Sequence, residues 1–481
     1  MKILSEKQLK YNENVNLDRT PKKCYNSYRN IEYFQANPSQ APIAKVFSGF
    51  FLSCEGKSWS DMTDNINITR GKRVVITGMA AISPFGIGVD TLWENLINGK
   101  SGINRLSGFD AYDFPIKIGG QIPPINFEEH IKDINLKKID RSSLLGLVTA
   151  GLALLDAGFN STQEKEIAAV IGSGLGPCAS QEENYSVYAL QGWRKLPPIT
   201  ITKSMISNLA SMVSIYYKLT GGNHMLAAAC ASGAAAIGQA HQMILGGTEK
   251  RVLCGGVDTP LIPSVFGAWI NMRVLSQNGC RPFDKNRDGM VLAEGSAMVI
   301  LEELETAKER GAKIYGEVIG YAANSDASHI AIPNYAGQAN SMKKALENAG
   351  IKPEDIDYIN AHGTSTPAND REETKAIKEV FGERSREIPI SSNKSMLGHS
   401  MGASGAFEFL ATALTIKNGI IPPTINYETP DPECDLDYVP NSARKKEVKT
   451  AISNSFAFGG NNSVLVLRRY EEESDGWTGK R

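Results

Sequence analysis

The chain has almost no net charge, no long apolar run and no cysteine pair at metal or redox spacing, and each absence removes a class of function. Lys and Arg together number 51 against 52 Asp and Glu, a formal charge of −1 over 481 residues. Nothing therefore draws it globally to nucleic acid or to an anionic membrane surface. No stretch of 18 apolar residues marks a membrane span, so a soluble protein is expected. The seven cysteines, at 24, 54, 178, 230, 254, 280 and 434, are odd in number and scattered. That pattern suggests neither a disulfide framework nor a zinc site, and it favours a reducing cytoplasm. Histidine is also scarce, with six in the whole chain, so any histidine in a glycine-flanked loop stands out.

What is present fits an α/β body: 42% hydrophobic residues and 45 glycines allow a large core with many tight turns. Residues 1–70 differ, being rich in Asn, Lys, Tyr and Ser without a sustained apolar period. They read as a poorly ordered N-terminal extension, with acids throughout and no secretory or transit pattern. Residues 1–61 are expected to be dispensable or to precede the true start at Met62. The body divides into an N-terminal half, 71–315, and a C-terminal half, 316–470, followed by a tail, 471–481.

The stretch Asn223 to Gly247, NHMLAAACASGAAAIGQAHQMILGG, organises the N-terminal half. Met225 to Ala229 reads as a short buried strand and Ala231 to Leu245 as an alanine-rich helix. Almost no linker separates them, which puts Cys230 in a tight turn. A helix N-terminus favours a thiolate, and small residues allow a substrate to approach closely, so Cys230 is the candidate nucleophile. Before it, Val74 to Gly78 reads as a buried strand, Ile82 to Gly88 as a Pro/Gly loop, and Val89 to Asn98 as a helix. Ser142 to Ala157 and Ser204 to Leu219 read as helices, with Ile167 to Gly172 a strand between them.

The second half echoes the first. Aligning Ala231-Ser232-Gly233 with Ala403-Ser404-Gly405 superposes two helices of equal length, ending at Gly247 and Gly419. The strand and glycine turn at 168–176 likewise resemble 356–364. The pattern predicts a duplicated α/β unit, its two equivalent helices back to back at the centre.

Three more stretches put polar chemistry in apolar surroundings. Asn360 to Pro367, NAHGTSTP, places His362 in a loop after a strand. Ser392 to His399, SNKSMLGH, places Lys394 and His399 just before the helix that mirrors the cysteine helix. Asn454 to Asn462, NSFAFGGNN, is an aromatic-bearing glycine loop near the end of the chain. Taken singly, each has a plain structural reading. Together with Cys230 they outweigh it.

These motifs, with RPFDKNRDG (281–289) and PPTINYETPDPECDLDYVP (422–440), resemble the β-ketoacyl-acyl carrier protein synthases of the thiolase superfamily, closest to the type II elongating enzymes. The resemblance covers roughly Gly71 to Tyr470. It implies a five-layered αβαβα sandwich built from two duplicated halves. It also implies a decarboxylative Claisen condensation of an acyl thioester with malonyl-acyl carrier protein, giving 3-oxoacyl-acyl carrier protein and CO2. Cys230 is then the acyl acceptor, and His362 and His399 donate hydrogen bonds to the malonyl-derived enolate. Lys394 orients the second histidine and joins Glu373 in the polar support, with Asp370 nearby. The amides of Cys230 and Phe458 form an oxyanion hole, and Phe458 also acts as a gate before Gly459 and Gly460. Thr364 and Thr366 hold the phosphopantetheine arm, Leu175 and Trp269 border the acyl tunnel, and Arg273 docks the carrier protein. The arm arrives on the substrate, so no resident cofactor or metal is implied. A homodimer is expected.

Cysteine as a soft nucleophile and paired histidine donors suit this chemistry independently of the family. Departures from the family pattern bear on substrate. Trp269 stands where Phe is usual, Ile199-Thr200 where Phe-rich sequence is usual, and Pro177-Cys178 follows Gly176. Gly221-Gly222, Ala293 and Asn461 are further departures. They leave a dedicated type II polyketide, polyene or specialised lipid ketosynthase as the alternative. A non-catalytic chain-length-type subunit would lack the cysteine, and a biosynthetic thiolase would carry a late Cys-Gly-His motif where this chain has Phe458-Gly459-Gly460.

Overall fold

Strand for strand, the second half repeats the first. The structure is a computed structural model that describes residues 71–107, 113–159 and 165–472. The N-terminal extension, Met62 and the tail from 473 onward lie outside the described residues. The N-terminal half runs β1 (Val74–Ser83), α1 (Arg141–Asp156), β2 (Ala168–Gly172), α2 (Asn208–Tyr217), β3 (Asn223–Leu226), α3 (Ser232–Leu245), β4 (Arg251–Asp258) and β5 (Gly295–Glu303). The C-terminal half runs β6 (Gly316–Ser325), α4 (Tyr335–Ala349), β7 (Tyr358–Asn360), α5 (Pro367–Phe381), β8 (Ile390–Ser391), α6 (Ser404–Asn418), β9 (Thr450–Ala457) and β10 (Asn461–Arg468).

The strand order is β3-β2-β4-β5-β1 in one half and β8-β7-β9-β10-β6 in the other. The same pairs are parallel and antiparallel in both. The halves are hydrogen-bonded into one eleven-stranded sheet, because β1 also pairs with β6 over Val74 to Ile76. Helices α3 and α6 lie against each other and against strands of both halves. Helices α1 and α2 cover the outer face of one half, and α4 and α5 that of the other. This is the expected α/β/α/β/α order.

The central layer is dry because its sequence is. All of α6 from Ser404 to Ile416 is buried, and α3 buries Ser232 to Gly238 without a break. Glycine makes the helix crossing close: a Cβ on Gly233 would lie 2.6 Å from the Gly402 carbonyl, and one on Gly405 would lie 2.8 Å from Ala234 Cβ. Among the described residues no helix is long and apolar enough to cross a membrane.

Several boundaries differ from the sequence reading. β1 continues to Ser83, and Gly86–Ile87 pairs back on it, because Ile82 and Ser83 find partners that a loop would leave unpaired. The cysteine strand is Asn223–Leu226 and is half exposed instead of buried: it is the outermost strand of its half, with β2 as its neighbour. Residues 204–219 make a ten-residue helix beginning at Asn208, and Lys218 ends it in the left-handed region at φ 55°.

Candidate active site

Cys230 lies in a 3₁₀ turn, Ala229–Ala231, at the mouth of α3, and Ala229 before it has φ +48°. The C-terminal half carries the same device: Met401–Ala403 is a 3₁₀ turn before α6, and Met401 also has φ +48°. A non-glycine residue held there is strained and must be fixed by its surroundings. Gly402 is thus the structural counterpart of Cys230.

One cavity of about 230 Å³ is lined by Cys230, His362, His399, Phe458, Trp269, Thr364 and Thr366. The His362 and His399 rings meet edge to face, 5.5 Å between centroids. The amides of Cys230 and Phe458 both face the Cys230 sulfur, so a donor from each half converges on it. Phe458 stacks on Trp269, 5.7 Å between centroids and 22° between planes. The hydroxyls of Thr364 and Thr366 lie 2.8 Å apart.

Both histidines are fixed from behind. The Met401 amide donates to Nδ1 of His399 at 3.2 Å, with the Ser404 hydroxyl 3.0 Å from the same atom. The Lys394 ammonium lies 3.3 Å from Nδ1 of His362 and donates to the His362 carbonyl at 2.6 Å. A nitrogen that accepts carries no proton, so we assign Nε2–H to both rings. Burial, reinforced by Lys394, holds both imidazoles well below the usual histidine range, so they are neutral at pH 7.

Two expectations change. Lys394 orients the first histidine, His362, and not the second. Its short helix, Lys394–Leu397, ends before His399, and its ammonium runs instead to Glu408 on α6. Glu373 supports the same loop, accepting the amides of His362 and Gly363, each at 2.8 Å. The resting Cys230 thiol is not a thiolate. Burial pushes it up to about 12, outweighing the opposing effects of Lys394 and the Phe458 amide.

Asp370 accepts the Phe283 amide at 2.8 Å and so holds the 281–289 loop. Leu175 packs in the apolar cluster around Cys230. Gly460 lines the cavity, whereas the Gly459 amide donates to the Ile330 carbonyl at 2.7 Å. Arg273 is exposed, adjoining the cavity residue Met272.

Sequence reading missed three contributors. Glu408 was legible as the one acid in a buried helix. Asp258 ends β4 and accepts from Ser173 Oγ (2.6 Å), Gly174 N (2.7 Å), Leu175 N (3.1 Å) and Gly402 N (2.6 Å). The segment from Asp326 to Pro333 walls the cavity through His329, Ile330 and Ile332. It carries no periodic signal.

A duplicated α/β sandwich with a cysteine elbow facing two neutral histidines defines the thiolase-fold ketosynthases. The β-ketoacyl synthase N-terminal domain matches residues 71–307, and the C-terminal domain matches residues 315–428. The chain belongs to the β-ketoacyl synthase family. It is 41% identical to a 3-oxoacyl-[acyl-carrier-protein] synthase 2 of Synechocystis sp. over 411 residues, 83% of this chain and 99% of that one. A Staphylococcus aureus protein of the same description is 39% identical, over 84% of this chain and 100% of its own. Among solved structures, the ishigamide ketosynthase/chain length factor superposes with TM-score 0.80 at 35% identity, covering 83% of this chain and all of that one. A type II PKS ketosynthase in complex with its acyl-carrier protein superposes with TM-score 0.77 at 35% identity and the same coverage.

Proposed function

We propose that this chain condenses an acyl thioester with malonyl-acyl carrier protein, releasing CO2 and giving 3-oxoacyl-acyl carrier protein, as in fatty acid elongation. The observation that carries the reading is the shared cavity in which a cysteine faces two Nε2–H donors, both neutral at pH 7.

In the first half-reaction Cys230 Sγ attacks the thioester carbonyl, and the Cys230 and Phe458 amides hold the oxyanion. The carbon–sulfur bond to the carrier arm breaks, and the Cys230 proton leaves on the carrier thiol. A neutral resting thiol suits this exchange, since no charge waits in the apolar pocket between turnovers.

Malonyl thioester then binds. Its carbon–carbon bond to the carboxylate breaks, CO2 leaves, and the electron pair becomes an enolate whose oxygen receives the Nε2–H groups of His362 and His399. The enolate carbon attacks the Cys230 thioester, the new carbon–carbon bond forms, and the thiolate leaves and takes a proton from solvent. Lys394 and Glu373 hold the histidine loop in place, and no step draws on a resident metal or cofactor.

The partner is an acidic carrier protein, met by Arg273 at the rim. Its phosphopantetheine arm runs past Thr364 and Thr366. A homodimer is proposed because Tyr185, Leu190, Ile201 and Ile215 expose large apolar surface, and a cytoplasmic setting because five described cysteines are free. The Trp269–Phe458 stack supports a second reading, a ketosynthase for specialised or polyketide chains, since an indole at the gate reshapes the tunnel.

Intact-mass detection tests the proposal: purified protein and Cys230→Ala are offered a panel of acyl-carrier thioesters, followed by malonyl-carrier protein. Acylation of the wild type alone, discharged as a longer 3-oxoacyl product, is the expected result. Failure to load any chain overturns the elongation reading.

A further inference from the structure

The elbow that carries Gly402 is held from the other half of the molecule. Asp258 ends β4 in the N-terminal half and is fully buried. Its Oδ2 accepts the Gly402 amide at 2.6 Å and the Gly174 amide at 2.7 Å, while its Oδ1 accepts Ser173 Oγ and the Leu175 amide. One residue earlier, the Met401 amide donates to Nδ1 of His399. Two consecutive amides of the strained elbow therefore point at two side chains, the first at His399 and the second at Asp258. The residue between carboxylate and imidazole contact is Met401, at φ +48°. Such a backbone persists only where its surroundings over-determine it.

Packing gives the same result. A Cβ on Gly402 would lie 2.6 Å from Asp258 Oδ2 and 2.5 Å from the Gly174 amide nitrogen. The position that holds the nucleophile in one half is therefore filled by the Asp258 carboxylate in the other. Burial lifts this carboxyl to about 6 against the pull of its four donors, so it is ionised at neutral pH.

We infer that Asp258 is the positioning residue for His399: by holding the Gly402 amide it fixes the Met401 amide on Nδ1, and so aims Nε2–H at the enolate. Through Gly174 and Leu175 the same carboxylate also anchors the loop at the acyl channel, which ties the channel wall to the histidine that acts in the second half-reaction. The inference rests on the condensing reading above.

Asp258→Asn tests it. An amide keeps one acceptor oxygen, so one pair of donors loses its partner and faces an NH2 group. Two rates are measured on the full chain: decarboxylation of malonyl-carrier protein alone, and acylation of Cys230 by intact mass. Misplacement of His399 is expected to lower decarboxylation on the order of 100-fold. Acylation does not use that Nε2–H and feels the change only through the Gly174–Leu175 loop, so it is expected to fall by a clearly smaller factor than decarboxylation. In 15N-histidine spectra the variant gains signal from a ring protonated at Nδ1. Asp258→Glu, which keeps both oxygens, is expected to recover part of the decarboxylation. Equal losses in both rates, or wild-type decarboxylation in Asp258→Asn, overturn the inference. If Asp258→Asn does not fold, Asp258→Glu decides alone: a larger loss in decarboxylation than in acylation sustains the inference, and equal losses or none overturn it. A wild type that acylates but never decarboxylates malonyl-carrier protein overturns the condensing reading itself.

Discussion

The Lys394 ammonium is paired with the Glu408 carboxylate, both buried, in a contact that joins the histidine loop to the central helix α6. Glu408 also lies 3.3 Å from Ser455 Oγ, so one carboxylate links three segments.

Breaking this pair is predicted to cost both stability and catalysis. Glu408→Gln leaves a buried ammonium without its counter-ion, and a loss of about 3–5 kcal/mol is expected in chemical denaturation. Lys394→Met behaves differently because burial has already raised Glu408 to about 7. Lys394 opposes that rise, so with the lysine gone the Glu408 carboxyl is pushed higher still, takes up a proton and relieves its own burial. The stability gap between Lys394→Met and wild type is therefore expected to widen as pH rises from 6 to 8, measured as a difference in denaturation midpoints. A gap that is constant with pH counts against the pair.

Trp269→Ala removes the ring stacked on Phe458, a contact worth about 1 kcal/mol. Phe458 then loses the support of the indole. Longer acyl chains are expected to load, and condensation is expected to slow because the Phe458 amide is less firmly aimed at the oxyanion. Acyl-panel mass spectrometry with wild type as reference reads both effects; an unchanged chain profile removes Trp269 from the tunnel.

Arg273→Glu reverses a charge at the exposed rim without touching the cavity. KM for the carrier protein is expected to rise about tenfold with kcat unchanged, and the effect is expected to shrink at 0.5 M salt. An unchanged KM leaves Arg273 a solvated surface charge.

His241 on α3 is buried with Nδ1 unpartnered, and burial lowers it to about 4 against the pull of the nearby Glu317. Glu317 is itself engaged by Arg73 and Arg468. The unfolded chain binds a proton at this histidine below about 6.5, and the folded chain does not until about 4. Stability therefore falls as pH drops through that window, by about 2 kcal/mol between pH 6.5 and 5. His362 and His399 push in the same direction. In His241→Gln the pH dependence of the denaturation midpoint over this window is expected to be shallower by that amount.

The polar set and its order along the chain are readable from residue order alone. The elbow at Cys230, the loops of His362 and His399, and the echo between 231–247 and 403–419 are all local patterns, and local pattern is what a sequence carries. From them the duplicated α/β class followed. Which groups these residues meet depends on how the folded chain brings distant segments together. Phe458 meets Cys230 from 228 positions away along the chain, and Asp258 meets Gly402 from 144 away. Lys394 could have reached His399 or Glu373 and instead took His362 and Glu408, because the short helix that begins at Lys394 fixes its direction. The charge of Cys230 followed the same rule. A helix N-terminus is visible in sequence and argues for a thiolate, but desolvation depends on what closes over the sulfur, and here burial wins. Edge or centre was equally hidden for the strand before Cys230, since an apolar run reads alike whether one neighbour or two lie beside it.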